Sequence, residues 1–99
     1  MSVFGIGGTV LKTSDGEAIV AGVPVRVFMM HIISTGGGAA IVSLKNNGAS
    51  GTTYITETGT LGTGKTFTYG RCGILFPNGC YVDVDVNTTS ATLTAIKEL

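Results

Sequence analysis

One stretch of the chain has residue types and spacing that could do chemistry unaided. Residues 59–66 read GTLGTGKT, so Gly59 is followed four residues later by Gly64-Lys65-Thr66. That is the full spacing of a phosphate-binding loop. In a chain with 16 Gly such a match arises by accident roughly 2% of the time, so its surroundings must decide. A phosphate loop leads from a strand into a helix, whose free N–H groups hold the phosphate while the Lys reaches its far end. A strand precedes this one, at 52–58. No helix can follow: Thr66-Phe67-Thr68-Tyr69 alternates as a strand, and Gly70, Gly73 and Pro77 break any helical run. The expectation is a hairpin loop that binds no nucleotide, with Lys65 keeping it soluble.

The other reactive side chains are few. Asp83 and Asp85 lie two apart, so on a strand their carboxylates are neighbours. That pairing suits acid–base work or a calcium ion. With no further acidic cluster it reads as a solvated strand face with a polar cross-strand partner. His31 is the only histidine. A nucleophilic site would need it beside Ser34, Cys72 or Cys80, and nothing in the spacing puts it there. It reads as a sheet histidine with a backbone or water partner. Cys72 and Cys80 are the only cysteines. With one His and no C-x-x-C spacing they make no zinc site. If Asn78-Gly79 is a two-residue hairpin turn, Cys80 faces Pro77 and Cys72 falls opposite position 85, out of disulfide reach. Two buried free thiols are expected. No catalytic, cofactor or metal residue is assigned.

The elements that must position these residues read as strands throughout. The clearest is CYVDVDVN (80–87), with Cys80, Val82, Val84 and Val86 on one face and Tyr81, Asp83, Asp85 and Asn87 on the other. Asn78-Gly79 tolerates positive φ at both positions, which predicts a hairpin between GILF (73–76) and this strand. VRVFMMHII (25–33) reads as a central strand, 34–39 as a flexible Gly-rich tip, and AAIVSLK (39–45) as a strand turned by Asn46-Asn47-Gly48 into TTYITET (52–58). KTFTYG (65–70) follows, and ATLTAIKEL (91–99) closes the chain as an end strand. Eight or nine short strands with turn residues between them predict an all-β fold: a small antiparallel β-sandwich or barrel, jelly-roll-like. Residues 1–23 are Gly-rich, with single apolar residues between the glycines. They suit either an arm lying on a neighbour or a first strand, set against a β-sandwich domain at 24–99.

Composition narrows the function. Net charge is zero and the six Lys and Arg are scattered. This gives no basic surface for nucleic acid and no patch for an anionic membrane. The most apolar stretch, 18–33, is broken by Gly22, Pro24 and Arg26, and the start of the sequence lacks the pattern of a signal peptide. Charged residues make up 12%, against a usual ~25%. A domain this small normally needs charge to stay solvated, so part of the surface is expected to lie under other chains. Val3, Phe4 and Ile6 in the first segment, and Phe28 and Met30 in the two-sided apolar strand with Met29 and Ile32, are the candidate partner contacts. Tyr54, Phe67, Tyr69 and Tyr81 are weighed as a stacking platform for bases or sugars. Without Trp or a basic groove they favour neither strongly.

The order of segments from VRVFMMHII through LKNNGASGTT and KTFTYGRCGILFPNGCYVDVDV to ATLTAIKE resembles that of small β-rich structural proteins of tailed-bacteriophage virions. The stretch that carries the likeness most clearly is Phe76-Pro77-Asn78-Gly79-Cys80-Tyr81-Val82-Asp83-Val84. The resemblance covers about residues 25–98 and names no catalytic residue. It implies a virion protein assembled in the host cytoplasm. Foremost is a capsid decoration or cement protein, often a trimer, that binds the major capsid protein and copies of itself at capsomer junctions. The alternative is a tail, fibre or host-attachment module.

Overall fold

The computed structural model describes residues 7–60 and 62–98. Among them there is no helix. Nine strands run in order: β1 (Gly7–Lys12), β2 (Gly16–Glu17), β3 (Val25–Ser34), β4 (Ile41–Asn46), β5 (Thr52–Thr58), β6 (Gly64–Thr68), β7 (Ile74–Phe76), β8 (Cys80–Val84) and β9 (Thr88–Lys97). They form two sheets. The first has the order β1-β9-β3-β6, with the short β7 also on β3; the second has the order β2-β8-β4-β5.

All pairings are antiparallel, and they are nested. β1 pairs β9, β2 pairs β8, β3 pairs β6 and β4 pairs β5. The chain is a long two-stranded ribbon doubled back at residues 47–51. The ribbon is then rolled up, so that β9 also pairs β3 and β8 also pairs β4. This is the connectivity of a jelly roll, which buries one face of each sheet against the other. Among the core side chains, Val25, Val27, Met30 and Ile32 of β3, Val42 and Leu44 of β4, Phe76, Val82 and Leu93 have no exposure at all.

Local chemistry explains the elements. β4, β8 and β9 alternate buried with half-exposed residues, as strands with one wet face must. β3 alternates too, but its phase jumps once. A bulge between Val27 and Met29 lets Val27 pair with Ala95 and Met29 with Thr94. Inserting one residue moves the following side chains to the other face. Val25 and Val27 therefore point inward before the bulge, and Met30 and Ile32 after it.

Several expectations are corrected here. Residues 73–76 and 80–86 do not form a hairpin: β7 joins β3 in one sheet and β8 joins β4 in the other. The turn between them is real, with Gly79 N–H donating to Phe76 C=O at 3.3 Å. Its central residues, however, are Pro77 and Asn78, and only Gly79 (φ 97) has positive φ. A type I′ turn, which would keep two strands paired, needs positive φ at both central positions. This one carries the chain from sheet to sheet.

The loop 59–63 is likewise a crossing and not a hairpin, since β5 and β6 lie in different sheets. Val86, expected to face inward, is 93% exposed, because β8 ends at Val84. The closing strand β9 pairs back as expected, but in the middle of a sheet, between β1 and β3. Residues 7–12 are an ordinary first strand, and within the rest of the possible arm Gly16–Glu17 pair with β8 and Ala18 is buried; Val3, Phe4 and Ile6 lie outside the described residues.

Candidate functional site

The two sheets present very different outer faces. Outward from the second sheet point Ser43, Lys45, Thr56, Tyr81 and Asp83, with one exposed aliphatic residue, Ile41, at the start of β4. Ser43 and Thr56 share a hydrogen bond at 3.0 Å across the β4–β5 pair. Lys45 Nζ sits 3.1 Å from Asp83 Oδ2. That is a solvated face whose polar groups find partners along it.

Outward from the first sheet point Leu11 on β1; Thr92, Thr94 and Ile96 on β9; Phe28, Met29, His31 and Ile33 on β3; and Leu75 on β7. Register places them on shared rungs: Leu11 beside Thr92 beside His31, and Ile96 beside Arg26 beside Leu75. Leu11 is 63% exposed, and Met29, Ile33 and Leu75 are each more than a third exposed. Arg26 is the one formal charge among these rungs, and Glu98 offsets it through an Nε–Oε1 contact of 2.5 Å. His31 is held by Thr66, with Nδ1 and Oγ1 2.7 Å apart. Apolar side chains on a sheet with Thr and almost no charge make a flat surface that water solvates poorly.

Near the lower end of this face, where β3 begins and β9 ends, lies an open groove of about 310 Å³. Phe28 and Ile96 line its apolar part; Arg26, Arg71, Cys72 and Glu98 line the rest. Arg26 Nη1 donates to Cys72 C=O at 2.7 Å and so fixes the loop that carries Arg71 and Cys72. Arg71 has no acidic partner within ion-pair distance among the described residues.

At the other end of the sandwich the β8–β9 turn holds Val86 out in solvent. Asp85 makes this turn rigid. Its Oδ1 accepts from Asn87 N–H at 3.1 Å and from Thr88 Oγ1 at 2.9 Å, and its C=O accepts from Thr88 N–H at 3.1 Å.

The candidate residues read from the sequence fall as follows. Phe28 is on the outer face of the first sheet. Met30 is not, and is corrected as a partner contact: the bulge turns it into the core. Asp83 and Asp85 are not brought together, since one pairs with Lys45 and the other caps the turn. His31 has a side-chain partner where a backbone or water partner was expected.

Ser34 lies on the opposite face of β3 from His31. Its Oγ donates to Thr60 C=O and accepts from Gly62 N–H, both at 2.7 Å, stitching the 59–63 crossing to β3. Gly64, Lys65 and Thr66 belong to β6, paired with Ile33, Ile32 and His31. A Cβ on Gly64 would come within 2.6 Å of His31 Nε2, so this glycine makes room for a ring.

The aromatic residues form no single platform. Tyr54 stacks on Phe76 with centroids 5.1 Å apart, while Phe67 and Tyr69 lean against the core. Burial, with the Glu57 carboxylate second, raises the Tyr69 pKa.

Both thiols are free, but only Cys80 is buried, so the expectation for Cys72 is corrected. Burial, aided by the charge of Glu17, pushes the Cys80 thiol up to about 12. No group of three or more potential metal ligands occurs among the described residues. No helix among them is long and apolar enough to cross a membrane.

Sequence reasoning missed the groove and the Val86 tip. Asp85-Val86-Asn87-Thr88, an Asp three residues before a Thr, is the signal that a side-chain-capped turn ends the strand there. The fold defines the class of protein as a jelly-roll β-sandwich. In comparisons with known proteins, the chain matches no family model, no curated protein and no solved structure.

Proposed function

We propose that the protein is a structural subunit of a phage virion, of the decoration or cement kind, which works by covering surface and catalyses nothing. The observation that carries this reading is the outer face of the first sheet. Its rungs hold Leu11, Met29, Ile33, Leu75, Phe28 and Ile96, with one formal charge that is already paired. At strand and residue spacings of about 4.8 and 3.3 Å, such a face spans on the order of 500 Å². With about half of it apolar, at roughly 25 cal/mol per Å² its burial releases on the order of 5 kcal/mol before the costs of association.

A protein that binds only the assembled shell stabilises that state by mass action. The resemblance along residues 25–98 supplies the setting: the major capsid protein and further copies of this chain, commonly three, are the neighbours that cover the face. The fold alone supports no function, because jelly rolls serve many.

Immunogold labelling of purified virions with antibodies to the protein tests the reading. Label distributed over the head, with heads that melt at lower temperature when the protein is stripped, is the expected result. Label confined to the tail assigns it to the tail or fibre instead, and virions without label overturn the reading.

A further inference from the structure

We infer that copies of this chain join head to tail, the Val86 tip of one seated in the Phe28–Ile96 groove of the next. The inference rests on the reading above and deepens it by naming the contact. Three observations carry it.

The first is the exposure of Val86. A side chain 93% exposed on a turn locked by Asp85 loses little freedom when it is bound. Burying a valine is favourable in proportion to the apolar area taken from water, and a preorganised anchor keeps most of that gain. The second is the shape of the groove. Its volume of about 310 Å³ over an apolar floor admits one aliphatic side chain and the turn around it. The third is charge. The tip carries Asp85, and Asp15 Oδ1 accepts from Val84 N–H at 2.8 Å, so two carboxylates flank the valine. The groove's rim carries Arg71, whose charge has no partner among the described residues, whereas Arg26 and Glu98 cancel. A negative collar around an apolar knob meets a positive rim around an apolar floor.

Knob and groove lie at opposite ends of a molecule 40 Å long. The contact is therefore heterologous: each copy uses a different patch for each neighbour. Such contacts close into rings or run on as filaments. The groove opens on the outer face of the first sheet, so the seated neighbour also covers part of that face. The knob alone is a small contact. The face around it brings the buried area toward the roughly 1,000 Å² that a specific association needs.

Cys72 in the groove supplies the test. A Val86→Cys, Cys72→Ser chain is mixed at high concentration with wild-type chain and oxidised mildly with diamide. The expected product is a mixed disulfide between the new thiol and Cys72 of the other copy; Cys80 is buried and takes no part. In parallel, self-association is measured by sedimentation. Val86→Lys weakens it about 10-fold or more. Arg71→Glu weakens it several-fold, and the double variant, which sets Lys against Glu, is impaired less than the two single losses combined. Both positions are exposed, so the fold is unaffected, and unchanged circular dichroism checks this. Absence of the mixed disulfide overturns the inference. So does self-association that Val86→Lys leaves unchanged. Either result leaves the virion reading standing if heads still label.

Discussion

The outer faces of the two sheets are built on the same strand geometry and differ in chemistry: the second has paired polar groups and the single exposed aliphatic Ile41, the first several exposed apolar side chains. On the second sheet, Ser43–Thr56 and Lys45–Asp83 pair polar groups across neighbouring strands. Such pairs contribute little to stability, typically below about 1 kcal/mol, but they suit a face that stays wet. On the first sheet the equivalent positions hold Leu11, Met29, Ile33 and Ile96 among threonines. Nothing in the core requires this: β3 and β9 of one sheet and β4 and β8 of the other each turn fully buried side chains inward. On the proposed function, the difference lies in what each face meets, water on one side and protein on the other.

The largest expected effect comes from placing charge on the apolar face. Leu11→Asp with Met29→Asp should weaken binding to copies or to heads by 100-fold or more, about 3 kcal/mol. The melting temperature of the isolated chain should move by only a few degrees, because both side chains are partly solvated already. Titration calorimetry against stripped heads measures the first effect and thermal unfolding the second.

The two thiols sharpen the contrast between surface and core. Cys72 should react with a maleimide in the native state and Cys80 only on unfolding. Folding raises the Cys80 pKa from 9.0 to about 12, so the folded state favours the protonated thiol. Its contribution is complete below pH 9 and is lost as pH rises from 9 through 12. Urea titrations should show a Cys80 contribution to that loss on the order of 2 kcal/mol by pH 11, and Cys80→Ala should remove it while leaving the loss from Tyr69, whose pKa burial also raises.

A smaller effect is expected on the wet face. Lys45→Ala should cost about 1 kcal/mol or less in the same urea titration and leave head binding unchanged. Smallest of all is Thr56→Lys, within about 0.5 kcal/mol. A marked loss of binding in either variant would break the comparison.

The sheet class and most strand positions were legible in the sequence because alternation is a local signal. CYVDV and IVSLK carry it openly. Partner choice was not local. The dipeptide Asn-Gly occurs at 47–48 and again at 78–79. At the first site both residues have positive φ, 76 and 82, and the chain makes a β-hairpin. At the second, Pro77 takes the first central position of the turn and leaves Gly79 outside it, so the chain changes sheets. The same two residues serve two topologies: at 47–48 they open a five-residue hairpin loop closed by Gly51 N–H on Gly48 C=O at 3.0 Å, and at 78–79 they end a turn centred on Pro77-Asn78.

The bulge in β3 was hidden for a related reason. Phe28-Met29 is apolar at both positions, so nothing in the pattern marks where the phase jumps, and Met30 was placed on the wrong side. The phosphate-loop spacing at 59–66 lacks the helix it would need: Gly64–Thr68 is strand β6, as the alternation of Thr66-Phe67-Thr68-Tyr69 predicts. What its glycines do became visible only with their neighbours: Gly59 packs where a Cβ would meet Ile32 Cγ2 at 2.9 Å, and Gly64 lies against His31.

The central claim is that one outer face is built to be covered and the other is not. Sedimentation equilibrium on matched charge pairs tests it most directly, with Leu11→Asp/Met29→Asp on the first sheet set against Ser43→Asp/Thr56→Asp on the second. The account predicts an assembling wild type, a monomeric first variant and a second variant that assembles like wild type. Equal behaviour of the two variants, or a loss confined to the second sheet, would contradict it.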